Sequence, residues 1–228
     1  MKIVNHFNWL VVLSFLMIHA LIAQDWANLN RFKEENKMAG EPKQNENRVV
    51  FMGNSITQMW AEVDSVFFAN KSYINRGISG QTTPQMLLRF RQDVIKLKPK
   101  IVVILAGTND IAGNTGPSTL EMIEDNIAGM AELARVNGIK VILCSVLPAF
   151  DYPWAPGKNP VEKIPTLNDW IRQYAEKNGQ IYVDYYSPMV DENGGLKKEF
   201  SEDGVHPNFA GYAVMVPILE QALKEALK

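Results

Sequence analysis

The stretch RVVFMGNSITQMW, residues 48–60, decides how the rest of the chain is interpreted. Its first half, residues 49–52, is a short apolar run rich in β-formers, which predicts a strand buried on both faces. A Gly-Asn pair then breaks the strand, and the residues that follow favour a helix. Ser55 therefore lies at a sharp strand-to-helix turn, near the free N–H groups of a helix N-terminus. A serine in that place either caps the helix or serves as an acyl-transfer nucleophile.

Strand-like and helix-like segments alternate through the rest of the chain. Four more apolar segments typical of strands follow the first one, at residues 72–75, 101–106, 140–145 and 180–184. Helical periodicity separates them, and a last helix is predicted over 209–227. Strict alternation of this kind predicts an α/β fold, with a doubly wound five-stranded parallel sheet between two layers of helices.

Loops with candidate functional residues follow three of these strands. Ser55 comes after the first strand, Gly80 after the second, in ISGQT, and Asn109 after the third, in GTND. Active sites of doubly wound sheets lie beyond the carboxyl ends of the strands. The sequence therefore predicts that these three residues meet at one edge of the sheet.

The N-terminus has the layout of a secretory signal peptide. Lys2 gives a basic start, an apolar run covers residues 9–22, and Ala23 offers a small residue for cleavage. We predict a signal peptide over 1–23, an amphipathic helix and linker over 24–47, and one catalytic domain over 48–228. The alternative is a retained anchor, although the apolar run is short for a membrane span. With the signal removed, we expect a secreted or periplasmic protein without stable membrane insertion.

The composition excludes several classes of function. A formal net charge of −2 argues against binding to nucleic acid. Cys144 is the single cysteine, so no intrachain disulfide forms, and a buried core thiol is favoured over a cysteine nucleophile. Two of the three histidines fall in the predicted signal peptide, which leaves His206 as the only imidazole. A metal site built from several histidines is thereby excluded within one chain, and the sequence does not indicate an oligomeric state.

Acyl transfer needs a nucleophile, a base, a group that orients the base, and donors for the oxyanion. Ser55 is the candidate nucleophile and His206 the candidate base. Asp203 lies three residues before His206 in SEDGVHPN, close enough for its carboxylate to reach the imidazole. The backbone N–H groups of Ser55 and Gly80 and the side-chain amide of Asn109 are candidate oxyanion donors. Each residue also has an ordinary structural explanation as a cap or turn-former, which their joint occurrence in this order weakens.

Four blocks of the chain resemble those of the SGNH hydrolases, also called GDSL esterases and lipases: GNSIT, ISGQT, GTND and DGVHP. The resemblance runs from Arg48 to the final helix. It implies a flavodoxin-like three-layer sandwich and an ester hydrolase that needs no metal or cofactor. It also implies a triad of Ser55, Asp203 and His206, with Ser55, Gly80 and Asn109 forming the oxyanion hole.

One position departs from the family pattern. The first block usually has an aspartate before the serine, and this chain has Asn54. That position is not matched to the triad acid, so the expected reaction class stands. The substitution removes a charge and therefore puts the local electrostatics of the loop in question.

A long proline-rich segment, residues 146–162, follows the fourth strand and contains Phe150, Tyr152 and Trp154. Loops of this length in a compact domain are usually functional. The three rings are interpreted equally well as a wall that binds a sugar or acyl group and as a patch covering the sheet edge. Together with export, they favour removal of acetyl or other short acyl groups from carbohydrate or small esters.

Three other functions compete with that one. A lipid-active acylhydrolase is the first, and it would need a long apolar groove for the acyl chain. A carbohydrate-binding protein that has lost turnover is the second. A phosphate-binding flavodoxin-like protein is the third and the least favoured, because GNSIT offers few groups that would hold a phosphate.

Overall fold

Five parallel strands form one sheet in the computed structural model, which describes residues 25–69 and 72–228. The order across the sheet is β2-β1-β3-β4-β5. The strands are β1 (Val49–Gly53), β2 (Tyr73–Gly77), β3 (Ile101–Leu105), β4 (Lys140–Cys144) and β5 (Ile181–Val183). The predicted doubly wound five-stranded parallel sheet is confirmed.

Helices cover both faces of this sheet and complete a three-layer α/β/α sandwich. In the described part of the chain they are α1 (Lys33–Ala39), α2 (Ser55–Val63), α3 (Ser65–Phe68), α4 (Thr83–Asp93), α5 (Thr108–Ala112), α6 (Leu120–Val136), α7 (Pro160–Lys177), α8 (Tyr186–Met189) and α9 (Phe209–Ala226). Two short 3₁₀ turns lie at Ile95–Leu97 and Lys198–Phe200. None of the helices among these residues is long and apolar enough to cross a membrane.

The alternation of side chains along β1 shows why the sheet needs cover on both faces. Val50 and Met52 pack into one core with α4, α6 and α7. Val49 and Phe51 point the other way and pack into a second core with α2 and α9. All five residues of β1 are buried, as the uninterrupted apolar run predicts.

The chain departs from the prediction at several boundaries. The segment 1–23, where the signal peptide is predicted, lies outside the described residues, and the amphipathic helix predicted after it is shorter, covering only α1. Helix α7 begins at Pro160, so it takes in the last residues of the segment 146–162 that is predicted as a loop. Proline fits the first turn of a helix because its missing N–H would be unsatisfied there in any case.

The register of the sheet places the loops after three strands side by side. Gly53 at the end of β1 pairs with Gly77 of β2 and with Leu105 of β3. The chain leaves all three strands at the same level. Residues 54–55, 78–82 and 106–109 therefore share one edge of the sheet, as expected.

Close packing at this edge gives a prediction for Gly77. A Cβ added to Gly77 would lie 2.2 Å from the backbone nitrogen of Gln58 and 2.7 Å from the carbonyl oxygen of Asn54. Backbone atoms of a packed helix cannot move aside without strain, so Gly77→Ala is expected to lower the free energy of unfolding by about 3 kcal/mol. Urea denaturation measures this change.

Gly129 offers the matched control for that experiment. It lies inside α6, and an added Cβ would make ordinary contacts of 3.6 Å with Leu87. Gly129→Ala is expected to leave stability unchanged or to raise it by up to about 1 kcal/mol, because alanine favours the helix. Equal losses in the two variants would contradict the steric explanation at Gly77.

Candidate active site

Ser55 occupies the first position of α2, directly after the turn that ends β1. The side chain of Asn54 caps this helix, because its oxygen accepts a hydrogen bond of 3.0 Å from the N–H of Ile56. Ser55 is therefore not the helix cap, and the capping alternative for this residue is wrong. An asparagine oxygen makes the same hydrogen bond that a carboxylate would, so the departure at Asn54 keeps the turn intact.

The Ser55 hydroxyl lies within hydrogen-bonding distance of His206. Ser55 Oγ and His206 Nε2 are 2.8 Å apart, although 150 residues separate them in the chain. On the other side of the imidazole, Nδ1 lies 2.6 Å from Asp203 Oδ2. The structure thus brings the three predicted residues into one chain of two hydrogen bonds.

The loop before α9 folds around the Asp203 carboxylate. Its Oδ1 atom accepts hydrogen bonds from the backbone N–H groups of His206, at 2.8 Å, and of Val205, at 2.9 Å. The Ser201 hydroxyl donates a third, at 3.1 Å. Gly204 adopts a positive φ of 79° in this turn, which favours glycine. One carboxylate oxygen therefore shapes the loop while the other holds the imidazole.

The same contacts set the ionisation of Asp203. Partial burial alone would raise its pKa, but the hydrogen bonds from His206 and Val205 and the nearby imidazole outweigh it and lower the pKa to about 2. Asp203 is therefore ionised throughout the range in which enzymes usually work.

The predicted oxyanion donors surround the same strand ends. Within the described residues, the backbone N–H groups of Ser55 and Gly80 have no hydrogen-bond acceptor. The amide of Asn109 donates one of its two N–H groups to the carbonyl of Gln81, at 2.9 Å, and has a second to offer. The side chain of Asn114 donates to the carbonyl of Gly80, at 3.1 Å. Two asparagines thus fix consecutive carbonyls of the loop that carries Gly80, a predicted oxyanion donor.

Arg89 holds this edge together, and its role was missed by the sequence analysis. Its buried guanidinium donates to the carbonyls of Gly53, at 3.0 Å, and Arg76, at 2.8 Å. It also donates to the side chain of Gln81, at 2.6 Å, and forms an ion pair with Asp93. Arg89 therefore ties the ends of β1 and β2 to the Gly80 loop. Desolvation lowers the pKa of this guanidinium to about 10, which leaves it charged at neutral pH.

Asp110, in the short helix α5 that follows β3, anchors the start of α4. Its buried carboxylate accepts hydrogen bonds from the Thr83 backbone N–H, at 3.0 Å, and from the Thr83 hydroxyl, at 2.6 Å. Burial raises its pKa to about 6, although the hydrogen bonds from Thr83 act in the other direction.

This raised pKa predicts how stability depends on pH. The unfolded carboxyl loses its proton near pH 4, whereas the folded one keeps it up to about pH 6. The free energy of unfolding should therefore fall as pH rises through this window and level off above it. Asp110→Asn, whose side chain does not titrate, should gain stability relative to the wild type between pH 4 and 6, as measured by thermal unfolding. A difference between the two proteins that is constant with pH would contradict this prediction.

The three aromatic residues of the 146–159 loop have different environments. Tyr152 is 0% exposed and belongs to the core, with its hydroxyl 2.9 Å from that of Thr108. The prediction that Tyr152 contacts substrate is therefore wrong, because no part of its ring reaches the surface. Phe150 and Trp154 are exposed.

Trp154 lies against the candidate base. Its ring centroid is 6.0 Å from that of His206, and its indole N–H donates to the side-chain oxygen of Asn114, at 2.9 Å. Asn114 also donates to the carbonyl of Gly80. Trp154 therefore links residues 146–159, called here the aromatic loop, to the imidazole and to the loop that carries Gly80. Its position beside the base is consistent with the predicted contact with substrate.

Cys144 is a core residue, as predicted. Its thiol is buried at the end of β4, and burial raises its pKa to about 12. A thiol with so high a pKa is not ionised at neutral pH and does not act as a nucleophile.

Comparison with known proteins identifies close matches to this fold and this chain. The sequence profile of the GDSL-like Lipase/Acylhydrolase family matches residues 51–214. The crystal structure of a GDSL-like lipase from Bacteroides thetaiotaomicron has a TM-score of 0.87 and 50% sequence identity, and the match covers 89% of this chain and 100% of that one.

Two curated esterases are more distant relatives. The esterase TesA of Pseudomonas aeruginosa is 27% identical over 180 residues, which cover 77% of this chain and 83% of TesA. An acetylxylan esterase of Xylanibacter ruminicola is 27% identical over 220 residues, which cover 80% of this chain and 44% of the esterase. The chain spans less than half the length of two of the curated relatives that it matches, the acetylxylan esterase among them.

Proposed function

The chain belongs to the GDSL-like Lipase/Acylhydrolase family, and from that premise we propose that it is a serine ester hydrolase. Ser55 is the nucleophile, His206 the general base and acid, and Asp203 the residue that orients the imidazole. The observation that supports this most directly is the continuous hydrogen-bonded chain from Ser55 Oγ through the imidazole to the Asp203 carboxylate.

The charge of Asp203 fixes the tautomer of His206. An ionised carboxylate only accepts hydrogen bonds, so the imidazole proton lies on Nδ1 and points at Asp203 Oδ2. His206 Nε2 then presents its lone pair to Ser55, whose hydroxyl donates across 2.8 Å. This is the protonation state that a general base requires.

Acyl transfer proceeds in two halves from this arrangement. Ser55 Oγ attacks the ester carbonyl while His206 Nε2 takes the hydroxyl proton, and the carbonyl oxygen becomes an oxyanion held by Ser55 N–H, Gly80 N–H and the Asn109 amide. Collapse of the intermediate breaks the C–O bond to the alcohol, which leaves with the proton from His206. Water then attacks the acyl-enzyme while His206 Nε2 takes its proton. The bond between Ser55 Oγ and the acyl carbon breaks, His206 returns the proton to Oγ, and the acid is released.

The proposed substrates are carbohydrate or small esters with acetyl or other short acyl groups. Two observations support this choice: a named acetylxylan esterase among the relatives, and an indole that lies against His206 where the ester would bind. Indole and phenyl rings present an apolar face, on which the C–H groups on one face of a sugar ring can pack. A lipid-active acylhydrolase remains the alternative to be tested.

Hydrolysis of three p-nitrophenyl esters and of acetylated xylo-oligosaccharides tests this proposal. Acetate should be hydrolysed faster than butyrate and octanoate, and acetate release from the oligosaccharides should depend on Ser55. Octanoate hydrolysis that equals or exceeds acetate hydrolysis would favour the lipid alternative. If the protein hydrolyses no ester yet binds the oligosaccharides, the non-catalytic carbohydrate-binding alternative replaces the proposal.

We also propose that residues 1–23 are removed on export, leaving the segment 24–47 in front of a catalytic domain of residues 48–228. The segment is held to the domain, since Gln81 and Gln85 donate hydrogen bonds to the carbonyls of Ala27 and Trp26 at 2.7 and 2.6 Å. N-terminal sequencing of the exported protein should begin at Gln24. An intact N-terminus on membrane-bound protein would favour the retained anchor.

A further inference from the structure

A cavity of about 950 Å³ opens beside the Asp203 loop, between that loop and the aromatic loop. Residues 201–204 form one wall, Phe150 and Asp151 a second, and the turn 191–196 a third. Neither Ser55 nor His206 lines it. One imidazole ring and two hydrogen bonds separate the cavity wall at Asp203 from the reacting hydroxyl, so the cavity is adjacent to the proposed reaction centre and not part of it.

The chemistry of the proposed reaction determines which part of the substrate faces this cavity. His206 must give its proton to the oxygen of the leaving alcohol, so that oxygen lies within hydrogen-bonding distance of Nε2. The oxyanion donors lie after β1, β2 and β3, whereas the loop that precedes His206 lines the cavity. We expect the alcohol part of the ester to extend from the oxyanion donors past His206, towards that loop and its cavity.

The charges around the cavity argue against an anionic ligand. Four carboxylates line it, from Asp151, Asp191, Glu202 and Asp203, against one ammonium group, from Lys198. Asp151 remains ionised, since the N–H groups of Gly157 and Tyr152 donate to it and lower its pKa. A phosphate or a uronic acid would be repelled, whereas neutral hydroxyl groups would donate hydrogen bonds to these oxygens.

Phe150 supplies an apolar surface in the same cavity. Its side chain is 66% exposed, so the face of the ring is open to a ligand in the cavity. Its stem packs on Gly195, where an added Cβ would lie 3.0 Å from the Cβ of Phe150. The ring is therefore fixed at its base and exposed at its face, as a stacking platform for a sugar requires.

From these observations we propose that the cavity binds the neighbouring sugar units of an acylated neutral oligosaccharide, with Phe150 stacking on one of them. The proposal rests on the proposed esterase function and adds that the natural substrate is a chain of sugars. The sugar that bears the ester lies at Ser55, and the units attached to it extend past His206 into the cavity.

The preference of the enzyme for a longer sugar chain should depend on Phe150. Wild-type protein is expected to hydrolyse acetylated xylotetraose with a kcat/KM about tenfold above that for acetylated xylose, and Phe150→Ala should remove this advantage through KM. Phe150→Tyr, which keeps an aromatic face, should retain the preference for the longer sugar.

Phe209 provides a matched control. It is 64% exposed at the start of α9 and does not line the cavity, so Phe209→Ala should keep the chain-length preference. Equal kcat/KM values for the two sugars in wild-type protein would overturn the proposal, and so would a preference that survives Phe150→Ala.

Direct binding separates this proposal from the esterase function. Calorimetry with unacetylated xylotetraose and Ser55→Ala protein should show binding that is about tenfold weaker when Phe150→Ala is added. If no acyl ester is hydrolysed but this Phe150-dependent binding is observed, the esterase function fails while the glycan site stands. Absence of binding at millimolar sugar, or binding that does not depend on Phe150, overturns the glycan site.

Discussion

Ser55→Ala is expected to lower kcat for p-nitrophenyl acetate by about five to six powers of ten, because the acyl-enzyme cannot form. The residual rate should come from the oxyanion donors and from binding alone. The fold should persist, since the described part of the chain shows one hydrogen bond for the hydroxyl, to His206. A shift in melting temperature of no more than about 2 °C is therefore expected. Active-site titration with a p-nitrophenyl ester burst measures the loss of the nucleophile.

Combining this change with His206→Ala tests whether the two residues act as one unit. Substitutions of residues that take part in one proton transfer have strongly non-additive effects on kcat. The double variant should therefore be no slower than Ser55→Ala alone. Losses that multiply would show that Ser55 and His206 contribute independently, against the hydrogen bond of 2.8 Å between them. Wild-type activity in Ser55→Ala would reject the serine mechanism altogether.

The sheet and its polar edge could be predicted from the sequence because their signals are local. Uninterrupted apolar runs indicate strands covered on both faces, and a parallel sheet brings the ends of those strands together. His206 was identified by elimination, since the two other histidines precede the domain. Asp203 followed from its distance of three residues, which one turn spans.

Residues whose roles depend on tertiary contacts could not be predicted. Arg89 lies on α4 next to Phe90, and arginine side chains are mostly exposed, so the sequence gives no local sign of its burial. Its burial follows from three acceptors, contributed by the ends of β1 and β2 and by the Gly80 loop. Tyr152 was misassigned for a similar reason: the partner of its hydroxyl is Thr108, on a different strand end.

Asp203→Asn is expected to lower kcat by about four powers of ten while leaving the loop folded. The asparagine oxygen can still accept the hydrogen bonds from His206 N–H and Val205 N–H that shape the turn. The amide nitrogen then faces His206 Nδ1 and donates to it, which moves the imidazole proton to Nε2. That tautomer has no lone pair for the Ser55 hydroxyl, so the base is lost although every atom keeps its place.

The pH dependence distinguishes this tautomer effect from simple loss of a charge. Because the pKa of Asp203 is about 2, the carboxylate stays ionised in the wild type from pH 4 upward, and the deficit of Asp203→Asn should be present over that whole range. Asp203→Ala, which neither accepts nor donates, leaves the tautomer free and should retain more activity than Asp203→Asn if the tautomer is decisive. NMR of the imidazole nitrogens should show the proton on Nδ1 in wild-type protein and on Nε2 in Asp203→Asn. A proton on the same nitrogen in both proteins would assign the effect to lost charge, and orientation of the base by Asp203 would have to be abandoned.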